Sequence, residues 1–149
     1  KHHLTFEFNR ITKNIYIGTN QCCTTHFDKK LLKKGITADI SLEKTTMDAP
    51  YGVDYYLWLP TRDHFAPRPD KLITGAQFLK HLVDLGHKVY VHCQFGHGRA
   101  PSLVAAYLIL EGMTPKDAIT LIKKKRKVVH PNDRQKRALE KFYKKHSSS

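Results

Sequence analysis

Long apolar runs are missing from this chain, and nothing in it approaches the ~20 consecutive apolar residues of a bilayer-spanning helix. A transmembrane segment is therefore not expected. Internal repeats and long linkers are missing too, which sets aside solenoids and tandem modules. The 149 residues, 40% of them hydrophobic, suit one domain around one core. No secretory signal is visible, and the chain opens on Lys1-His2-His3 rather than Met, a start compatible with processing. Cysteine is scarce. With three of them, one claimed by the chemistry below, a disulfide framework is not expected and a reducing cytoplasm fits best. The neighbours Cys22 and Cys23 read as two ordinary thiols, the alternative being a redox bridge from one of them to Cys93. Ten histidines are scattered without ligand spacing, so neither a metal nor another cofactor is called for. Acidic residues are the remaining shortage, 13 against 26 Lys and Arg, and the resulting charge of +13 implies anionic partners.

What is present alternates. Residues 6–8, 14–18, 39–42, 55–59 and 89–92 carry strand patterns, and helical patterns lie between and after them. A short helix over 27–34 is stopped by Gly35. A long one, capped by Asp70, buries Leu72, Ile73, Phe78, Leu79, Leu82 and Val83 and ends at Gly86. Residues 100–110 form an apolar helix. Thr114-Pro115-Lys116-Asp117 makes a capping-box-like start to another, and Pro131 or Asn132 opens the last, with Ala138, Leu139 and Phe142 inward. Such alternation predicts an α/β single-domain sandwich: a mostly parallel central sheet flanked by helices, with a site at the carboxyl end of a central strand. Residues 1–149 are read as that one domain, with 143–149 as a flexible tail.

The segment from Val89 to Arg99, VYVHCQFGHGR, carries the chemistry. Cys93 ends an apolar strand, Arg99 follows six residues on, and Gly96 and Gly98 between them accept positive φ and let backbone N–H groups turn toward one anion. The helix after Arg99 adds its free N-terminal amides, with Pro101 suited to the first turn. Gln94, Phe95, Gly96, His97, Gly98 and Arg99 thus read as a phosphate-binding loop between strand and helix. Their field favours the thiolate of Cys93, and Arg99 offers the bidentate grip on a phosphoryl group that lysine lacks. The plain alternative is a structural cysteine in a strand-to-helix turn.

With these residues the chain resembles the cysteine-dependent protein-tyrosine phosphatases, and within them the small single-domain dual-specificity phosphatases. The likeness extends to an acid loop over 59–70 and to Arg126, His130-Pro131-Asn132 and Gln135 downstream. The resemblance implies a single phosphatase catalytic domain and a cycle with two steps. Cys93 attacks phosphorus while Asp63, seven residues before Asp70, protonates the leaving oxygen. Asp63 then activates the water that hydrolyses the cysteinyl phosphate. Asp63 could instead be a solvated charge or pair with Arg62 or Arg68, and Asp54 is a remote second candidate for the acid. By resemblance Gln135 places the water and Asn132 braces the loop, the alternative for both being ordinary helix capping. His92 is expected to hold Cys93 in place by bonding nearby backbone. His97 is expected to add charge at the rim and Phe95 to form wall, unless both simply face solvent. Many relatives carry Ser or Thr where this chain has Ala100, so loss of the cysteinyl phosphate should be slow unless the Ser102 hydroxyl turns inward.

The runs Lys123–Lys127 and Arg134–Arg137 are either solvated helix faces or a means of steering substrate. Phosphorylated proteins are the expected substrates. RNA 5′ ends and phosphoinositide headgroups are the anionic alternatives, making the chain an RNA 5′-triphosphatase or a phosphoinositide phosphatase on the same scaffold. A phosphate-binding module without turnover is the non-enzymatic reading.

Overall fold

The computed structural model describes residues 6–23 and 26–147. Its elements in chain order are β1 (Phe8–Arg10), β2 (Ile15–Gly18), α1 (Lys29–Lys33), β3 (Ile36–Ser41), β4 (Tyr55–Trp58), α2 (Pro69–Asp84), β5 (Lys88–His92), α3 (Arg99–Leu110), α4 (Pro115–Lys125) and α5 (Asp133–His146), with one 3-10 turn at Asn20–Cys22. The strands make one sheet in the order β1-β2-β5-β3-β4. Among the described residues only the β1–β2 pairing is antiparallel.

Residues alternate between the two faces of the inner strands, and each face builds its own core. Ile15, Ile17, Ala38, Ile40, Val89 and Val91 join the larger cluster with Leu79 of α2, Leu103 of α3, Ile122 of α4 and Leu139 of α5. Tyr16 and Tyr90 point the other way, into a smaller cluster with Cys22, Cys23, Phe27 and Leu31 of α1. Helix α3 is buried from Arg99 through Ile109 and packs against α2, α4, α5 and β5. A helix apolar on all sides belongs at the centre of a layer, and its N-terminus therefore ends up under the site. Because β3, β4 and β5 are parallel, their carboxyl ends share one edge of the sheet, where Ser41 pairs with both His92 and Trp58.

Several boundaries shift from expectation. β1 begins at Phe8, and β3 starts at Ile36 rather than residue 39. Asp70 does not cap α2. Arg68 holds the cap position, Pro69 takes the first turn, and Asp70 sits one residue inside. Helix α5 continues to His146, so residues 143–146 are helical rather than tail, its last turn held by Phe142 in the core and by the Ser147 N–H bonding Tyr143 O. Ser148 and Ser149 lie outside the described residues. The thiol expectation also fails. Cys22 and Cys23 are joined to each other as a disulfide, both buried, and Cys93 is the free cysteine. The turn at Asn20–Cys22 feeds both side chains into the smaller core, so neither reaches across to Cys93.

Candidate active site

Cys93 leaves the carboxyl end of β5, and residues 94–98 wrap back to the start of α3. Every carbonyl on this loop bonds away from the sulfur. Gln94 O accepts from Asn20 N at 3.4 Å, His97 O from His130 N at 3.0 Å, and Gly98 O from Ser102 N at 2.9 Å. Phe95 O and Gly96 O accept from Arg126 Nη2 and Nε at 2.7 and 3.1 Å. Peptide groups whose oxygens point outward turn their hydrogens inward. Among the described residues, none of the N–H groups of Gln94 through Arg99 donates to a protein acceptor, which is the state of an open anion nest.

The two glycines serve different ends. Gly96 sits at φ +71, and a Cβ there would lie 2.9 Å from Gly18 O. Gly98 does not use positive φ. At φ −140 it is needed for room, since a Cβ would stand 2.6 Å from Gln135 Oε1.

Arg99 is almost fully buried. Its Nη1 donates to Thr61 O at 3.1 Å and Leu42 O at 3.5 Å, while Nη2 lies 3.6 Å from Glu43 Oε1 and Nε 3.5 Å from Asp63 Oδ1. Nη1 thus fixes the guanidinium plane, and the Nε and Nη2 edge has only long ion pairs. Glu43 is itself held by Asn20 Nδ2, and its carbonyl by Trp58 Nε1 at 2.6 Å.

Asp63 lines the same cavity as Cys93, about 310 Å³ in volume, together with Phe95, His97, Arg99 and Gln135. Its carboxylate is 57% exposed and faces Arg99 and His64, not Arg62 or Arg68. Arg62 instead lies over the Phe65 ring and Arg68 pairs with Asp70. Asp54 lies just before β4, at the opposite edge of the sheet and out of reach. The acid loop is stapled to α5. Asn132 Nδ2 donates to His64 O at 2.8 Å and Gln135 Nε2 to Phe65 O at 3.2 Å, while the same two side chains form a reciprocal capping box. The helix-capping alternative therefore holds for both residues, and the loop that Asn132 braces is the one carrying Asp63 rather than the phosphate loop.

Three supporting residues behave otherwise than expected. Ser102 Oγ donates to Gly98 O at 2.6 Å and makes no hydrogen bond to Cys93, so it steadies the loop and does not stand in for a hydroxyl at position 100. His97 is not a charged rim. Burial first, then His130 and Arg126, push its pKa below the usual range, and its ring stacks on Phe95 as pocket wall. His92 bonds carboxylates rather than backbone: Nε2 meets Asp48 Oδ2 at 2.7 Å and Asp39 Oδ1 at 3.1 Å, all three side chains buried. Burial works against its charge, but the two carboxylates outweigh it and raise the ring to about 10. Burial lifts Asp39 to about 7.

Arg126, sitting in a basic run that suggested solvent, is 1% exposed and holds the phosphate loop from outside, anchored in turn by Asn9 Oδ1 at 2.7 Å. Asn9, Asn20, Asp39, Glu43 and Asp48 were not legible as site residues. They come from separate strands and loops with no shared spacing, and only Asp39, an acid between Ala38 and Ile40 on a strand, left a signal.

A free cysteine beneath six open amides, with an arginine edge and a carboxylate at its mouth, forms a candidate anion site at the edge of a mostly parallel sheet with helices on both faces. Residues 15–145 match the family model described as "Dual specificity phosphatase, catalytic domain", and the chain belongs to that family. It is similar to mouse protein tyrosine phosphatase type IVA 3, with 36% identity over 148 residues, 94% of this chain and 79% of that protein. It is 39% identical to human phosphatidylglycerophosphatase and protein-tyrosine phosphatase 1 over 79 residues, 52% of this chain and 39% of that protein. With rat dual specificity protein phosphatase 5 it shares 33% identity over 99 residues, 65% of this chain and 26% of that protein. The chain thus spans well under half the length of these last two relatives. Among solved structures, a crystal structure of PTPMT1 is similar at TM-score 0.79 and 28% identity, covering 93% of this chain and 95% of that one. Human DUSP28 reaches 0.83 at 19% identity, a likeness of fold, covering 92% and 96%.

Proposed function

We propose that the chain hydrolyses phosphomonoesters, phosphorylated protein side chains first among them, through a cysteinyl-phosphate intermediate. The observation that carries this is the convergence of Cys93, the open amides, the Nε and Nη2 edge of Arg99 and the Asp63 carboxylate in one cavity. The Cys93 thiolate attacks phosphorus in line as the P–O bond to the leaving group breaks, and Asp63 donates the proton that group requires. Asp63, now a carboxylate, takes a proton from water as it attacks phosphorus, releasing inorganic phosphate and restoring the thiolate. The amides and the Nε and Nη2 edge of Arg99 hold the three equatorial oxygens throughout, with the charge stabilisation already in place before reaction. Gln135, which lines the same cavity, is assigned the orienting of that water on the family resemblance. A reducing cytoplasm suits a thiol that must stay free.

A phosphoinositide substrate is the second reading, and one feature favours it. Beside the acid loop lies a cavity of about 470 Å³ floored by Phe65, Pro67, Leu72 and Phe142 and rimmed by Arg134 and Lys141. Apolar floor and basic rim match the glycerol and acyl region of an anionic lipid. Phosphate release from an aryl phosphate, abolished in Cys93→Ser, tests the covalent route, and absence of turnover in the parent chain favours a binding module. Rates on phosphotyrosyl peptide, phosphoseryl peptide, triphosphorylated RNA and phosphoinositide at two salt concentrations then rank the substrates, since a charge-steered one slows with salt.

A further inference from the structure

On the face of the sheet away from α3, four donors crowd one ring nitrogen. His92 Nε2 has Asp48 Oδ2 at 2.7 Å, Asp39 Oδ1 at 3.1 Å and Cys23 Sγ at 3.6 Å, with Cys22 beside them, and the donor atoms all lie within 4.8 Å of one another. Ligands of a tetrahedral zinc at ~2.0–2.3 Å stand roughly 3.5 Å apart, so a small cation fits this spread with shifts of under about 1 Å. The chemistry of the cluster asks for one. A single ring N–H can satisfy one carboxylate, yet two buried carboxylates and a sulfur converge on it. Both Asp39 oxygens are shielded from solvent and receive no hydrogen bond, only the ion pair to His92. Buried carboxylates are ordinarily hydrogen-bonded, paired one to one, or bound to metal.

We propose that the reduced chain binds one Zn²⁺ at His92, Cys23, Asp39 and Asp48, on the far side of the sheet from the larger core and behind the strand that presents Cys93. The mixed sulfur, nitrogen and oxygen set suits a borderline-soft dication better than magnesium or calcium. In the structure Cys22 and Cys23 are joined, so the site belongs to the reduced protein. A dithiol reductant supplies two electrons and two protons to the Cys22–Cys23 bond and becomes a disulfide itself. Zinc then displaces the remaining proton of Cys23 to solvent. The ion would tie the turn at Asn20–Cys22, β3, the segment before β4 and β5 into one unit, a structural role separate from phosphoryl transfer.

The test uses the whole chain carrying Cys93→Ser, which removes the competing thiolate, reduced and then freed of reductant without air. Titration with Co²⁺ is expected to develop the visible bands of tetrahedral cobalt and a thiolate charge-transfer band at one equivalent, both bleached by Zn²⁺. Adding Cys22→Ser prevents the disulfide, so that variant binds without prior reduction while its parent does not. Asp39→Asn and Cys23→Ser lose more than about 100-fold in affinity, beyond the roughly 10–100-fold that changing an outer-shell partner costs. Absence of these bands in the folded, reduced chain and in the Cys22→Ser variant overturns the proposal, as does full affinity retained by Asp39→Asn. If Asp39→Asn does not fold, the Cys22→Ser titration still decides.

Discussion

Replacing Arg126 by lysine tests whether the phosphate loop is held from outside. The guanidinium makes three short hydrogen bonds, to Phe95 O, Gly96 O and Asn9 Oδ1, from a fully buried position. A lysine ammonium can reach one of these acceptors but cannot span three directions in a plane. Two charge-assisted bonds are lost, each worth about 1.5–3 kcal/mol, giving an upper bound of roughly 3–6 kcal/mol. Part of that returns, because water can reach a vacated carbonyl. A net loss of about 2–3 kcal/mol is expected. Chemical denaturation measures the stability, and competition by inorganic phosphate or vanadate measures the loop. Both should weaken, because Phe95 and Gly96 are the peptides whose amides face the anion. Lys127→Met, an exposed neighbour in the same basic run, serves as the control and should change stability by under about 0.5 kcal/mol. If Arg126→Lys behaves like that control, the loop is rigid without its brace and the reasoning is wrong.

Asp63→Ala should cut kcat about 10²–10⁴-fold on alkyl phosphates and far less on an activated phenyl phosphate, because only a poor leaving group needs the proton; equal losses on both would point to another acid. Pre-steady-state kinetics should show a burst of the released alcohol or phenol followed by slower turnover, since Ala100 supplies no hydroxyl and Ser102 is engaged with Gly98, and Ala100→Ser should shrink the burst. His97 has its pKa lowered, so it is neutral at pH 7 and gains charge only as pH falls below its usual range. His97→Asn should therefore leave the salt dependence of kcat/KM unchanged at neutral pH and reduce it only in acid; an equal effect at both would show a ring charged throughout.

Sequence alone determined what depends on neighbours along the chain. Val89-Tyr90-Val91 reads as strand, Gly96 as a positive-φ turn and residues 100–110 as a buried helix, because period and glycine placement are local properties. Cys93 and Arg99 were legible for the same reason: one loop holds both, six residues apart. Asp63 was legible through the resemblance, and its facing Arg99 is a fact of folding. Tertiary structure decided the rest, wherever partners come from different strands. Arg126 belongs to a run of lysines that face water, and only the packing of α4 against α3 and α5 sets the C-cap position from which it turns inward to Asn9 and the loop. In the run 134–137 the basic residues all stay exposed, and the residue that turns inward, to the acid loop, is the uncharged Gln135. The parallel β3–β5 register sets Asp39 beside His92, and the turn at Cys23 and the segment carrying Asp48 fold onto the same nitrogen. Local periodicity sets which face a side chain takes, but what waits on that face depends on the order of strands in the sheet.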